Sequence, residues 1–187
     1  MRPIISTMQV SLDGMAERAD GRTDFIGTGS GTFDWDLFDQ TDACVLGRVM
    51  YPEYSQYWRA LPEGATTDEI RYAEFANRTP HYVLSRTASE LDWPVARVVP
   101  DLDAIRTLRD GPGGAIYVVG GPSTLSAFIE HDLLDELRLT VHPVVLGGGT
   151  ALLGKVTGEH RFDLAASIPL PNSRIRLVYR RAQVSSS

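Results

Sequence analysis

The chain has 187 residues, of which 43% are hydrophobic, and a formal net charge of -6 at pH 7. This length and apolar content can build one good core, so we expect a single domain over residues 1–187 with a frayed tail at 184–187. Acidic composition with scattered basic residues argues against a nucleic-acid-binding surface and favours a small-molecule partner. Because no signal peptide and no membrane-length apolar run is present, we expect a cytoplasmic protein without a membrane partner.

Three groups of side chains receive structural interpretations. The single cysteine, Cys44, lies in an apolar stretch and is expected in the core. The four histidines lack the spacing typical of metal ligands, so we predict no metal site. Arginines near the C-terminus alternate with apolar residues and are interpreted as a solvated strand face; they are Arg174, Arg176, Arg180 and Arg181.

The first half of the chain predicts a mixture of strands, helices and one long loop. In chain order these are a strand over 4–10, a polar loop over 16–32, a short helix over 33–40, a buried strand over 43–46 and helices over 49–58 and 67–76. Pro52 interrupts the pattern of the helix over 49–58. Thr67 is the expected N-cap of the next helix.

The second half predicts five further strands. They lie over 81–84, 95–99, 115–119, 137–142 and 174–180, with helices over 102–109 and after residue 121. Alternation of strand and helix predicts a largely parallel sheet, whereas the alternating polar and apolar residues of the last two strands favour antiparallel pairing. The predicted fold class is therefore α/β with three layers, in which a mixed, mostly parallel central sheet carries antiparallel C-terminal strands.

A strand-to-helix junction at residues 115–125 predicts an anion site. Gly120 and Gly121 let the backbone approach a ligand closely at the point where the apolar strand stops. Free amide groups at the start of the next helix, together with the hydroxyls of Ser123 and Thr124, suit a phosphate. Taken alone, an ordinary tight turn capped by one of these hydroxyls explains the pattern at least as well.

Two other strand ends carry phosphate-compatible residues. Gly47-Arg48 and Ser85-Arg86 each follow a short apolar strand. In an open α/β sheet, ligands bind outside the carboxyl ends of the strands, and the arginine side chain matches phosphate oxygens. A phosphorylated dinucleotide needs two separate anion sites, so the three strand ends together predict one. The alternative is that both arginines form surface salt bridges.

Several motifs together carry a family resemblance. They are Ser11-Leu12-Asp13-Gly14, Leu46-Gly47-Arg48, Leu84-Ser85-Arg86, Val119-Gly120-Gly121-Pro122-Ser123-Thr124-Leu125 and the Gly-rich segment that ends at Gly149. The chain resembles the dihydrofolate reductase-like superfamily, specifically the reductase domain at the C-terminus of the bifunctional riboflavin-biosynthesis protein. This resemblance spans residues 4–180, which is nearly the whole chain.

The resemblance implies an NADPH-dependent reductase of a small heterocycle, either a pterin or a pyrimidine of riboflavin-pathway type. It also implies a homodimer, since reductases of the riboflavin type are commonly dimers. Arg48 and Arg86 favour NADPH, because an acidic residue at the ribose would favour the unphosphorylated cofactor. The cofactor-binding residues implied are Gly47, Arg48, Leu84, Ser85, Arg86, Gly120, Gly121, Ser123, Thr124 and Leu125.

The chemistry and the substrate are assigned to three residues. Hydride transfer to a ring also needs a proton, and Asp13 is the candidate catalytic residue, with a pKa that would rise if bound ligands excluded water. An ordinary Asp-Gly turn is the alternative. Trp35 and Thr140 are the candidate substrate-binding residues; core packing and an outward strand position are their alternatives.

Two other functions stay open at this point. One is a nucleotide-binding module without catalysis. The other is a reductase that uses a flavin or a deazaflavin, because those cofactors also present phosphates.

Overall fold

The structure is a computed structural model, and it describes residues 1–27, 33–88 and 90–182. The chain forms two compact units, each built from two segments. Unit 1 comprises Met1–Pro3 and Phe33–Gly121, and unit 2 comprises Ile4–Thr32 and Pro122–Ser187. The single domain stays a prediction, and the tail at 184–187 lies outside the described residues.

The strands and helices lie close to their predicted positions. The strands are β1 (Ile4–Ser11), β2 (Met15–Glu17), β3 (Thr41–Gly47), β4 (His81–Leu84), β5 (Ala96–Val99), β6 (Ala115–Val118), β7 (Glu136–His142), β8 (Thr150–Ala151), β9 (Phe162–Leu170) and β10 (Arg174–Arg181). The helices are α1 (Trp35–Phe38), α2 (Tyr51–Arg59), α3 (Thr67–Arg78), α4 (Leu102–Asp110) and α5 (Pro122–Glu130). The sequence did not predict β2, β8 or β9.

The sheet strands of unit 1 are parallel and run in the order β5-β4-β3-β6. Cys44, Val45 and Leu46 in β3 are fully buried, as a strand covered on both faces requires. The prediction that Cys44 lies in the core is therefore correct. Since all four strands point the same way, their carboxyl ends lie at one edge of the sheet.

The sheet strands of unit 2 run in the order β1-β7-β10-β9. The pair β1 and β7 is parallel, whereas β10 is antiparallel to both β7 and β9. The predicted antiparallel character of β7 is thus correct for its β10 side and wrong for its β1 side. Parallel pairs predominate in the two units together, with antiparallel C-terminal strands, which confirms the predicted fold class.

Two helix starts differ from the prediction. Pro52 lies in the first turn of α2 and does not interrupt the helix, because an amide hydrogen is not needed there. The N-cap of α3 is Thr66 and not Thr67, since the Thr66 hydroxyl accepts a hydrogen bond from the Glu69 amide at 3.3 Å. The Glu69 carboxylate accepts from the Thr66 amide at 2.7 Å in return. None of the described helices has the length and apolar character to cross a membrane.

Candidate functional site

The carboxyl ends of three neighbouring strands lie side by side in unit 1. Gly47 of β3 is paired with Leu84 of β4, and the Arg48 amide donates to the Leu84 carbonyl at 3.3 Å. On the other side of β3, the Val119 amide donates to the Val45 carbonyl at 2.8 Å. Adjacent strands lie about 4.8 Å apart, so the ends of β4 and β6 are separated by roughly 10 Å. The structure thus brings three of the predicted motifs to one edge.

Two exposed arginines belong to this edge. Arg48 lies in the turn before α2, and Arg86 follows β4. The Ser85 hydroxyl accepts hydrogen bonds from the amides of Thr87 and Ala88 at 3.2 and 2.9 Å, so it shapes the turn that carries Arg86. Among the described residues, neither arginine forms a salt bridge. The alternative interpretation, in which both arginines form surface salt bridges, is therefore not supported by any described acidic residue.

The glycine corner after β6 is open. Gly120 is buried and Gly121 is half-buried, and α5 begins at the next residue. No described atom lies within 4 Å of the position that a Cβ on Gly121 would occupy, and its φ is not positive. Since neither packing nor backbone conformation requires glycine there, the corner offers space that a bound group could fill.

The first turn of α5 gains a cation from a distant part of the chain. The Lys155 ammonium group donates to the Ser123 hydroxyl at 2.7 Å, and both side chains are exposed. Lys155 is the only lysine of the chain. The sequence analysis missed it, because no local pattern links it to Ser123. Thr124 is half-buried, whereas the Leu125 side chain is fully buried, so only the backbone of Leu125 could meet a ligand.

The carboxylate of Asp13 in unit 2 fixes a distant loop through hydrogen bonds. Its carboxylate accepts hydrogen bonds from the Ser11 hydroxyl at 2.6 Å and from the amides of Leu146 and Gly147 at 3.1 and 2.9 Å. The Ser11 bond first, and then the two amide bonds, lower the pKa of Asp13 to about 2. Asp13 is therefore ionised at neutral pH, and the rise in its pKa expected when bound ligands exclude water stays a prediction.

A second contact braces the same loop. Gly149 has φ +136°, and a Cβ there would lie 2.0 Å from the carbonyl oxygen of Glu17. Glycine is therefore required at this position, where β8 begins beside β2. The Gly-rich segment is thus held at two places, by the Asp13 carboxylate after β1 and by close packing of Gly149 against Glu17 of β2.

Thr140 and two arginines are buried on one face of unit 2. Thr140 is 0% exposed, and Arg174 and Arg176 are 6% and 8% exposed. The Arg176 Nε donates to the Thr140 hydroxyl in a long hydrogen bond of 3.4 Å. The predicted solvated face is therefore wrong for Arg174 and Arg176, because this face of β10 is covered. It holds for Arg180, whose side chain is 69% exposed.

Trp35 lies in an aromatic cluster of unit 1. Its ring stacks on Phe33 with centroids 5.6 Å apart, and it meets Phe38 edge to face at 5.7 Å. The Arg71 guanidinium lies 3.8 Å from the centroid of the indole ring. These contacts give Trp35 a packing role, and its contact with a substrate stays a prediction.

The described histidines include one deeply buried ring. Burial lowers the pKa of His81 to about 4, so this ring is neutral. Across residues 1–27, 33–88 and 90–182, no group of three His, Cys, Asp or Glu side chains is arranged to hold a metal ion.

Comparison with known proteins identifies relatives over nearly the whole chain. The family of RibD C-terminal domains matches residues 2–173. The chain is 29% identical over 180 residues to the uncharacterized protein YyaP of Bacillus subtilis strain 168, a match that covers 95% of this chain and 94% of that protein. These matches confirm the resemblance predicted from the motifs.

Solved structures show the same fold at low identity. A candidate riboflavin biosynthesis protein of Shewanella sp. PV-4 has a TM-score of 0.75 and 23% identity, covering 97% of this chain and 99% of that chain. Dihydrofolate reductase of Enterococcus faecalis, solved in complex with NADP(H), has a TM-score of 0.67 and 13% identity, covering 97% of each chain. At these identities the likeness establishes the fold.

The Asp13 hydrogen bonds predict a specific acid sensitivity. The pKa of about 2 in the folded protein lies below the ordinary value of 3.8, so this carboxylate stabilises the fold above pH 4 and loses that effect as the pH falls toward 2. Asp13→Asn should therefore lower the stability at pH 7 and flatten its decline between pH 4 and 2. Urea unfolding across this range measures both effects.

Asp163→Asn is the matched control, because Asp163 is an exposed aspartate of the same unit. An Asp13→Asn protein whose unfolding free energy declined with acid as steeply as that of the parent would contradict the role given to this carboxylate.

Proposed function

Since this chain belongs to the family of RibD C-terminal domains, we propose that it is an NADPH-dependent reductase that transfers a hydride to a small heterocyclic compound. The supporting observation is the edge of unit 1 where the ends of β4, β3 and β6 lie side by side. NADPH presents two anionic groups, the diphosphate and the 2′-phosphate. This edge offers the Gly120-Gly121 corner at one end and the two arginines, Arg48 and Arg86, at the other. The substrate class we propose is a pterin or a pyrimidine of riboflavin-pathway type.

The diphosphate is assigned to the Gly120-Gly121 corner and the first turn of α5. The open space at Gly121 admits a phosphate against the backbone. Ser123 and Thr124 supply hydroxyl and amide donors in the first turn, where the helix dipole favours negative charge. Lys155, held at Ser123, adds the positive charge that the motif itself lacks.

The 2′-phosphate is assigned to Arg48 and Arg86. Both side chains are exposed and form no salt bridge with a described residue, so a phosphate would not have to displace a carboxylate. Gly47, Leu84 and Ser85 position them through backbone pairing and through the turn that Ser85 shapes. An arginine pair at this place favours NADPH over NADH.

Asp13 is the residue that we propose nearest to the chemistry, in its ionised form. Because its three hydrogen bonds keep it deprotonated, it acts by fixing the backbone at Leu146 and Gly147 and not by donating a proton. Bound NADPH would supply the hydride, and an ordered water is then the proposed proton source. Trp35 and Thr140 remain the proposed substrate contacts.

Cofactor preference tests the arginine assignment. Removing one charge from a phosphate contact costs about 1.5–3 kcal/mol, so Arg48→Gln and Arg86→Gln should each weaken NADPH binding by roughly 10- to 100-fold. Binding of NADH, which lacks the 2′-phosphate, should change little. Fluorescence titration of the parent and both variants with each cofactor measures the six dissociation constants.

Arg97→Gln provides the control, since Arg97 is another exposed arginine of unit 1 within strand β5. A parent protein that binds neither nicotinamide cofactor, or that prefers NADH, would refute the assignment. Gly121→Ala should weaken binding of both cofactors without destabilising the fold, because the added methyl group enters open space.

A second candidate function is a nucleotide-binding module without catalysis. The ionised state of Asp13 favours this alternative, because an ionised carboxylate has no proton to donate. Measuring turnover separates the two functions. We expect NADPH oxidation that depends on one member of a panel of pterins, pyrimidines and flavin precursors. Asp13→Asn should lower kcat by roughly 10- to 100-fold, as expected when a loop at the reacting groups is misplaced, and should leave the dissociation constant for NADPH nearly unchanged. Stopped-flow and steady-state absorbance at the NADPH band measure these quantities.

Equal losses in kcat and in NADPH affinity would show that Asp13 supports the fold as a whole and not a loop at the reacting groups, which would contradict its proposed place. NADPH binding without oxidation by any member of the panel would support the module instead.

We also propose a homodimer, as the family resemblance implies, and a location in the cytoplasm, where NADPH is available. Strand β9 is the edge strand of unit 2, and it exposes Leu164 and Ile168. Exposed apolar edges invite pairing with a second chain. Sedimentation equilibrium should give twice the chain mass of 20.6 kDa, and Leu164→Glu should give the monomer.

Ile70→Glu on α3 is the control, because Ile70 is also exposed but lies in unit 1. A parent protein that sediments as a monomer at micromolar concentration would refute the dimer.

A further inference from the structure

Unit 2 contains a cavity of about 370 Å³ that none of the roles above uses. A volume of this size is within the range of small-molecule sites. Three pieces of chain form its walls: residues 18–27 after β2, the end of β7 with the residues that follow, and the turn between β9 and β10 with the first residue of β10. The lining residues are Arg18, Phe25, Ile26, Gly27, His142, Pro143, Val144, Asn172 and Arg174.

A buried guanidinium group forms one wall of this cavity. Arg174 is 6% exposed, and its Nε donates to the Pro171 carbonyl at 2.9 Å, which fixes the group in place. Arg18 contributes a second guanidinium, held by the Asp24 carboxylate at 2.5 Å. No acidic residue is among the described residues that line the cavity. The Asp24 carboxylate offsets the charge of Arg18, so Arg174 is the group of the lining toward which an anion would be attracted.

The buried ring of His142 forms part of the same cavity lining. The ring is 3% exposed, and its Nε2 lies 2.7 Å from the Gln9 side-chain oxygen, so Nε2 is the donor. Burial, and after it the charge of Arg174, lower the pKa of His142 below its ordinary value.

Apart from Asn172, the remaining lining is apolar. The Phe25 ring meets the His142 ring edge to face with centroids 5.6 Å apart. Ile26, Pro143 and Val144 complete this side. An anionic group at Arg174 and an apolar or aromatic body at Phe25 would therefore be complementary to the two sides.

We propose that this cavity binds a small organic anion, whose carboxylate or phosphate contacts Arg174 and whose apolar body contacts Phe25. Arginine suits both anions, because its planar donor groups match a pair of oxygens. The adjoining residue Val144 accepts a hydrogen bond from the Leu12 amide at 2.8 Å, so the cavity borders the loop that Asp13 holds. The site does not depend on the proposed cofactor role of unit 1.

Binding of two simple probes tests the proposal. Inorganic phosphate represents the phosphate class, and benzoate represents the carboxylate class, with benzamide as its neutral counterpart. We expect at least one of the two anions to bind and to shift the NMR signals of the His142 ring. Benzamide should bind at least tenfold more weakly than benzoate if the carboxylate class is correct.

Variants of the lining make the result specific. Arg174→Gln should weaken binding of the anion at least tenfold, and Phe25→Ala should weaken benzoate more than phosphate. Because Arg174 is buried, Arg174→Lys provides a second variant that keeps the charge and loses the planar donor pair, and it should weaken binding to an intermediate degree. Arg161→Gln is the control, since the Arg161 side chain is 83% exposed in the same unit.

The outcomes distinguish this site from the cofactor site. Phosphate bound at the strand ends of unit 1 would depend on Arg48 and would leave the His142 signals unchanged, so Arg48→Gln separates the two. Absence of a His142 shift with both anions, or binding that is unaffected by Arg174→Gln and Arg174→Lys, would overturn the proposal. Failure of NADPH binding would leave it standing.

Discussion

Parallel pairing of β3 with β4 on one side and β6 on the other is the interaction on which the account depends. Parallel strands need crossover connections, so long stretches of chain separate the residues that follow each strand. Register then carries Gly47-Arg48, Ser85-Arg86 and Gly120-Gly121 to one edge. The hydrogen bond from the Arg48 amide to the Leu84 carbonyl continues the pairing of β3 with β4 and so places Arg48 beside the end of β4. The proposed dinucleotide site is thus a consequence of strand order.

This edge could be predicted from the sequence because each of its parts is local. A short apolar run followed by Gly47-Arg48, or by Gly120-Gly121, marks a strand and its end without any knowledge of the tertiary fold. The rule that ligands collect at carboxyl ends of parallel strands then joins the parts. The fold class followed for a similar reason, since the alternation of strands and helices spans most of the chain.

The remaining features depend on contacts between distant residues, and local patterns do not show them. Arg174 and Arg176 alternate with apolar residues as on a solvated strand, yet the arginine side of β10 is the covered one. Lys155 donates a hydrogen bond to Ser123, from which it is separated by 32 positions in the sequence. Asp13 resembles an ordinary turn residue, and its hydrogen bonds from the amides of a distant Gly-rich segment, which add to that from Ser11, are not visible in the sequence.

A crystal structure of the protein with NADP⁺ would show where on the sheet edge the dinucleotide binds. We expect the diphosphate against Gly121 and the first turn of α5, with the 2′-phosphate contacting Arg48 and Arg86. A dinucleotide bound away from the ends of β3, β4 and β6, with both arginines left in solvent, would contradict this expectation.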